Sequence, residues 1–250
     1  MSTRQREREY ARKRHEKWAA HQAAVRARKR RQRVVAGAVL GVLTLVAVVF
    51  LVLEATRGDG TVEAASDAAA ETPAVTRVVP DPALAEGRTW TAALTTTAGD
   101  LTLELDGAAA PQAVASFVTL AQEGFFDGTS CHRLTLEGIY VLQCGDPTGT
   151  GTGGPGYTFG PIENAPTDGV YPAGTVAMAR PADNASGNGS QFFLVYADSA
   201  IPADAAGGYT VMGTITSGMD VLDAVAAAGI VEGTEYTPAV DVTIEGVETQ

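Results

Sequence analysis

The chain is 250 residues long and 45% hydrophobic, with 18 Lys and Arg against 29 Asp and Glu, a formal net charge of −11. That average conceals two bodies of opposite sign: 13 of the basic residues, every lysine included, fall within residues 1–33 beside only three acids. The rest of the chain keeps five arginines against 26 acids, a charge near −21 that repels phosphate and argues against nucleotide or nucleic-acid binding there.

Residues 34–53, "VVAGAVLGVLTLVAVVFLVL", follow the basic segment and hold no strongly polar residue except Thr44. As a helix this run spans roughly 30 Å, the thickness of a bilayer's hydrocarbon core. A buried core helix is rarely apolar on every face for so long. A cleaved leader has a shorter apolar region of about 7 to 15 residues, closely followed by small residues. The length favours a retained anchor, although "AASDAAA" further on keeps cleavage open. Basic residues before the span, against Arg57 alone just after it, set the amino terminus in the cytoplasm and the acidic body outside. Clustered Arg and Lys also bind nucleic-acid phosphate, but beside a membrane span, topology and contact with anionic lipid are the simpler reading.

Residues 54–88 are rich in Ala, Asp, Glu, Thr and Pro and poor in aromatics, the composition of a flexible tether. Residues 89–250 have the size of one domain with one core. "DLTLELD" alternates Leu101, Leu103 and Leu105 with polar residues, and "AVDVTIEGV" does the same near the end. "TVAMA", "SQFFLVY" and "YTVMGTI" add short strands between them. Two stretches read as helices. "PQAVASFVTLAQEG" begins at Pro111, sets Val114, Phe117, Val118 and Ala121 on one face and stops at Gly124. "SGMDVLDAVAAAG" offers Ser217 as cap, Val221, Leu222 and Val225 as stripe, and Gly229 as stop. Many short strands with two helices predict a barrel or sandwich plugged by helices.

Most catalytic chemistries lack their parts. His132 is the only histidine after the apolar run, flanked by Cys131 and Arg133 inside a predicted strand, a poor place for the base of a Ser-His-Asp triad. Two cysteines and one histidine do not form a zinc site of usual spacing. The glycine-rich "TGTGTGGPGY" lacks the G-K-[ST] ending of a phosphate loop. Rotation about an X-Pro peptide bond needs none of these. Its barrier of roughly 18 to 20 kcal/mol comes from partial double-bond character. A guanidinium that donates hydrogen bonds toward the proline nitrogen, beside an apolar pocket for the ring, weakens that resonance. Arg133 becomes the candidate donor.

The residues around it resemble the cyclophilin family of peptidyl-prolyl isomerases. "CHRLTLEGIYVLQCGDPTGTGTGGPGY" is similar to the family's F-H-R, then F-M-I-Q-G-G-D, then a Gly-rich loop. "PAGTVAMAR" resembles P-G-x-L-S-M-A-N, "NGSQFFLVY" resembles N-G-S-Q-F-F-I, and "YTVMGTITSGMDVLDAV" resembles H-V-V-F-G-x-V-x-x-G-M-x-V-V, all in the family's order. The resemblance implies a mainly-β, eight-stranded antiparallel β-barrel capped by two α-helices, here preceded by one transmembrane helix. It makes Arg133 the catalytic arginine and Gln143 the glutamine that orients it and binds substrate backbone. Tyr140 falls at the family's pocket Phe, Val141 at its Met, and Ala179, Gln191 and Phe193 match its Ala, Gln and Phe. Met178 then belongs to the core. Arg180 replaces the usual Asn and either reaches the substrate or offsets local acid; Tyr209 replaces the pocket His. The usual Trp is missing near Ile201, and Arg133 and Gln143 are two residues further apart than in the family.

Cys131 and Cys144 would face an oxidising compartment, where a disulfide is allowed. They sit symmetrically about the turn at Glu137 and Gly138, which in a plain hairpin puts them opposite each other. Pairing Arg133 with Gln143 shifts the cysteines off by one, unless a bulge intervenes. The sequence thus predicts a membrane-anchored, monomeric prolyl isomerase acting on proline-containing chains outside the cytoplasm, without metal, nucleotide or organic cofactor. A cyclophilin-like peptide-binding or chaperone module that turns over poorly is the alternative.

Overall fold

The computed structural model describes residues 77–250. The basic segment, the apolar run 34–53 and the first part of the tether lie outside the described residues. Among the described residues no helix is long and apolar enough to cross a membrane.

The domain opens with a hairpin of β1 (Thr89–Thr96) and β2 (Leu101–Asp106), paired from Thr89↔Asp106 to Leu94↔Leu101. Along β1, Trp90, Ala92 and Leu94 face inward between exposed Thr89, Thr91, Ala93 and Thr95; along β2, Leu101, Leu103 and Leu105 face inward. This is the period-two alternation of a half-buried sheet, and each leucine so buried stabilises the fold by about 1.5 to 3 kcal/mol. After α1 (Pro111–Gln122) come β3 (Arg133–Leu134), β4 (Val141–Cys144), β5 (Val170–Tyr171), β6 (Thr175–Met178), β7 (Phe192–Val195), β8 (Ser199–Ala200) and β9 (Val211–Ser217). Helix α2 (Met219–Ala228) and β10 (Ile244–Thr249) complete the chain.

Eight strands form one curled antiparallel sheet in the order β10-β1-β2-β9-β6-β7-β4-β3, and β5 pairs with β8 separately. The chain that leads into β3 meets the start of β10. Ile244 N–H donates to the Thr129 carbonyl at 2.9 Å, and Gly128 N–H donates back to Ile244 at 2.8 Å. Inward-facing Leu103, Leu134, Leu142, Phe192, Leu194, Val176 and Met178 share one core with α1 and α2. Phe117 of α1 sets its ring edge-on to Phe192 at 5.4 Å.

Two local expectations change. Residues 77–88, assigned by composition to the tether, pack onto the domain. A 3-10 turn, Pro82–Ala85, is capped by Asp81, Ala85 is fully buried and accepts from the Trp90 indole at 2.9 Å, and Arg77 pairs with Glu123. Helix α2 is not capped by Ser217, which ends β9; Gly218 takes the cap position at φ 92°, where a Cβ would also strike the Asp100 carbonyl at 2.4 Å. The free N–H groups of α1 are satisfied from afar, since Glu163 accepts from Gln112 and Ala113 at 3.0 Å each.

Candidate active site

One row of side chains crosses the outer face of the sheet. Arg133 pairs with Gln143, Gln143 with Phe193, and Phe193 with Ala177, on β3, β4, β7 and β6 in turn. Because side chains alternate along a strand, Leu134, Leu142, Phe192 and Leu194 enter the core while their neighbours face out. The outward set is itself apolar: Val141, Tyr171, Ala177, Phe193 and Val195 form a second cluster, joined by Ile139, Ala179, Ile201, Tyr209 and Val211. Here the sheet holds a cavity of ≈ 130 Å³, bordered by Arg133, Gln143, Val141, Phe193, Ala179, Tyr209, Arg180, Ile139 and Ile201.

Amides fix the polar side of this pocket. Arg133 Nη1 donates to Gln143 Oε1 at 3.3 Å, Gln143 Nε2 to Gln191 Oε1 at 2.8 Å, and Gln191 Nε2 to the Gly153 carbonyl at 2.8 Å. Each amide gives and takes once, so the chain of donors sets both glutamine orientations. Gln191 borders the adjoining, larger groove of ≈ 860 Å³ beneath the glycine-rich loop, with Gln143, Ala179 and Arg180 on the shared wall. Asp146 ties that loop. Its carboxylate accepts from the Thr148 backbone and hydroxyl at 2.7 and 2.8 Å and from Gly151 and Gly153 N–H at 2.6 and 3.1 Å. Any Cβ at Gly153 would lie 2.0 Å from Asp146, which is why glycine stands there.

Burial pushes the Asp146 carboxyl up, but the donors of Thr148, Gly153 and Gly151 outweigh it and hold the group at about 2, against an ordinary 3.8. A carboxylate with a depressed folded-state value contributes stability above its unfolded value, and that contribution is lost as pH falls toward 2. Asp146→Asn should therefore be less stable than the parent at pH 6, with the gap closing between about pH 4 and pH 2 in urea titrations. An equal gap at pH 6 and pH 2 would refute the assignment.

Two expected site residues make contacts other than those the resemblance implies. Tyr140 does not border the pocket. Val141 faces it, so the alternation puts Ile139 there as well and turns Tyr140 away, edge-on to Tyr196 at 5.9 Å. Ile139 and Ile201 are the pocket residues that sequence reasoning missed, and the two extra residues in the β3–β4 turn are the signal for the first. Arg180 borders both cavities but has no donor left for a substrate. Its N–H groups go to Asp204 Oδ1 and Oδ2 at 2.9 Å each and to the carbonyls of Pro181, Gly207 and Gly208. Hydrogen bonding to this guanidinium, with that of Asp183 N–H, holds the Asp204 carboxyl far below the usual range. Arg180 also stacks on Tyr209 at 4.7 Å, and Tyr209 in turn meets Phe193 edge-on at 5.6 Å. Arg180 thus packs against the pocket wall that Tyr209 forms. Met178 lies in the core.

Cys131 and Cys144 are bonded. The Arg133↔Gln143 register would set Cys131 against Gly145 if the ladder continued, but β3 begins at Arg133. Cys131 N–H donates instead to the Val242 carbonyl at 2.8 Å, which frees its side chain to reach Cys144. Neither ring nitrogen of His132 has a hydrogen-bond partner among the described residues, so no nucleophile is paired with it. Burial pushes the imidazole down.

Residues 91–249 match the family model described as "Cyclophilin type peptidyl-prolyl cis-trans isomerase/CLD". The chain belongs to this family. Among its curated relatives, the "Probable peptidyl-prolyl cis-trans isomerase B" of Mycobacterium tuberculosis is 47% identical over 169 residues, covering 62% of this chain and 52% of that protein. The chain thus spans about half the length of that relative. A Helicobacter pylori peptidyl-prolyl cis-trans isomerase is 40% identical over 152 residues, 60% of this chain and 88% of that one. A cyclophilin-type isomerase of Cryptosporidium parvum superposes with a TM-score of 0.56 at 27% identity, covering 65% of this chain and 98% of that one. A second structure of the parvum protein, in the presence of the dipeptide Ala-Pro, superposes at 0.54. The cyclophilin-type domain here keeps the curled eight-stranded sheet and two helices of its family.

Proposed function

We propose that this chain is a peptidyl-prolyl cis-trans isomerase and that Arg133 stabilises the twisted X-Pro bond. One observation carries the reading. Of the four described arginines, Arg77, Arg88 and Arg180 are spent in ion pairs, whereas Arg133 meets no carboxylate and is held by Gln143 at the mouth of a small apolar pocket. Val141, Phe193, Ala179 and Tyr209 receive the proline ring. The guanidinium donates to the imide nitrogen as its lone pair leaves conjugation, an interaction stronger in the rotated state than in either planar one. No bond is made or broken, and the site supplies no nucleophile. Both the relatives' names and the Ala-Pro dipeptide used with the parvum protein fit this substrate class.

The location follows from the chain outside the described residues. The charge step across residues 34–53 supports an anchor with the amino terminus inside and the isomerase domain outside, acting on exported or cell-surface chains. The test is the full-length protein in mild detergent on a prolyl peptide: the cis-to-trans step, which alone takes tens to hundreds of seconds, should accelerate with enzyme concentration. No acceleration would leave a peptide-binding module. In intact cells, added protease should remove the domain while sparing residues 1–33; protection of the domain would reverse the topology.

A further inference from the structure

Strand β3 is the outermost of its sheet and only two residues long, so no ladder strand covers the far side of Arg133. The segment between α2 and β10 covers it instead. Leu134 N–H donates to the Tyr236 carbonyl at 2.7 Å, and further along Ser130 bridges Thr243. This places the Tyr236 ring against Arg133, with the guanidinium carbon 4.8 Å from the ring centre. The Tyr236 hydroxyl donates to Glu235 at 2.8 Å. At 39% exposure the residue is not part of the core.

We propose that Tyr236 is a positioning residue for the isomerisation. Gln143 fixes one edge of the guanidinium and Tyr236 covers one face, which leaves the remaining N–H groups for the pocket that Arg133 borders. The ring quadrupole attracts the cation and favours this placement over the many rotamers open to a long side chain on a surface strand. Its effect falls on the rotated state, where the arginine must be in place, more than on peptide binding, which the apolar pocket provides. The inference rests on Arg133 being the working donor.

The experiment compares full-length parent, Tyr236→Phe, Tyr236→Leu and Arg133→Ala proteins. Leucine keeps an apolar side chain and the backbone bond to Leu134 but has no π face; phenylalanine keeps the face and loses only the hydroxyl. Tyr236→Leu should lower kcat about three- to fivefold with little change in KM, while Tyr236→Phe stays within about twofold. The Arg133 Nε–H proton resonance should be shifted upfield by the ring in the parent and in Tyr236→Phe, and return toward an ordinary arginine position in Tyr236→Leu. Unchanged kcat in Tyr236→Leu, equal losses in both variants, or an Arg133 resonance indifferent to the ring would overturn the proposal. Were the parent itself inert, the isomerase reading would fall, while the resonance would still report whether the ring holds the guanidinium.

Discussion

Replacing Arg133 with alanine should lower kcat/KM for a prolyl peptide by about a hundredfold or more, the usual consequence of removing one preorganised donor to a rotated or charged transition state. The fold should survive. Arg133 is half-buried on a two-residue edge strand and lies in neither apolar cluster. Nothing nearby replaces it, because Arg180, the other guanidinium bordering the pocket, is locked onto Asp204 and three carbonyls. Arg133→Lys should rescue little: an ammonium cannot both engage Gln143 and present a planar edge toward the imide nitrogen. Matching melting temperatures for parent and Arg133→Ala, measured beside the rates, separate lost chemistry from lost structure. An alanine variant that kept more than half the parent rate would move the working group elsewhere.

Where side-chain size alternates sharply, the sequence is legible. Leu101, Leu103 and Leu105 mark β2, and the paired motifs around Arg133, Gln143 and Phe193 bring the pocket together from the β3–β4 hairpin and the far later strand β7. Strand β1 carries the same alternation but fills one inward slot with Ala92, so the pattern "TWTAALTT" is flat to the eye although its burial is strictly alternate. A motif aligned from Gln143 backward sets Tyr140 at the pocket but says nothing of which way the lengthened turn rotates its last residue; parity along the strand does. The sequence holds Arg180 between two roles because its partner, Asp204, is 24 residues away in a loop without periodicity. Tyr236 carried no signal, since its meaning depends on β10's approach lying along the free edge of β3.

Opening the Cys131–Cys144 bridge should cost about 3 kcal/mol of unfolding free energy, the loop-closure entropy expected when a tie across 13 residues is released. The two sulfurs are buried, at 4% and 1% residue exposure, so the bond joins β4 to the chain entering β3 from within the core. Its position gives the loss a local meaning. β3 and β4 share only two register pairs, Arg133↔Gln143 and Leu134↔Leu142, too few to hold the strands together unaided. The bridge lies immediately beyond Gln143 and two residues before Arg133, on the same strand pair that sets their hydrogen bond. Guanidinium melts of the parent with and without reductant, beside a Cys131→Ala/Cys144→Ala protein, measure the effect. Reduced parent and the double variant should unfold together, well below the oxidised protein, and the variant should ignore the reductant. Superimposable melts for oxidised and reduced parent, with both thiols shown to be free, would remove the bridge from the account of stability and leave Arg133 and Gln143 to be held by Tyr236, Gln191 and the Asp146-tied loop alone.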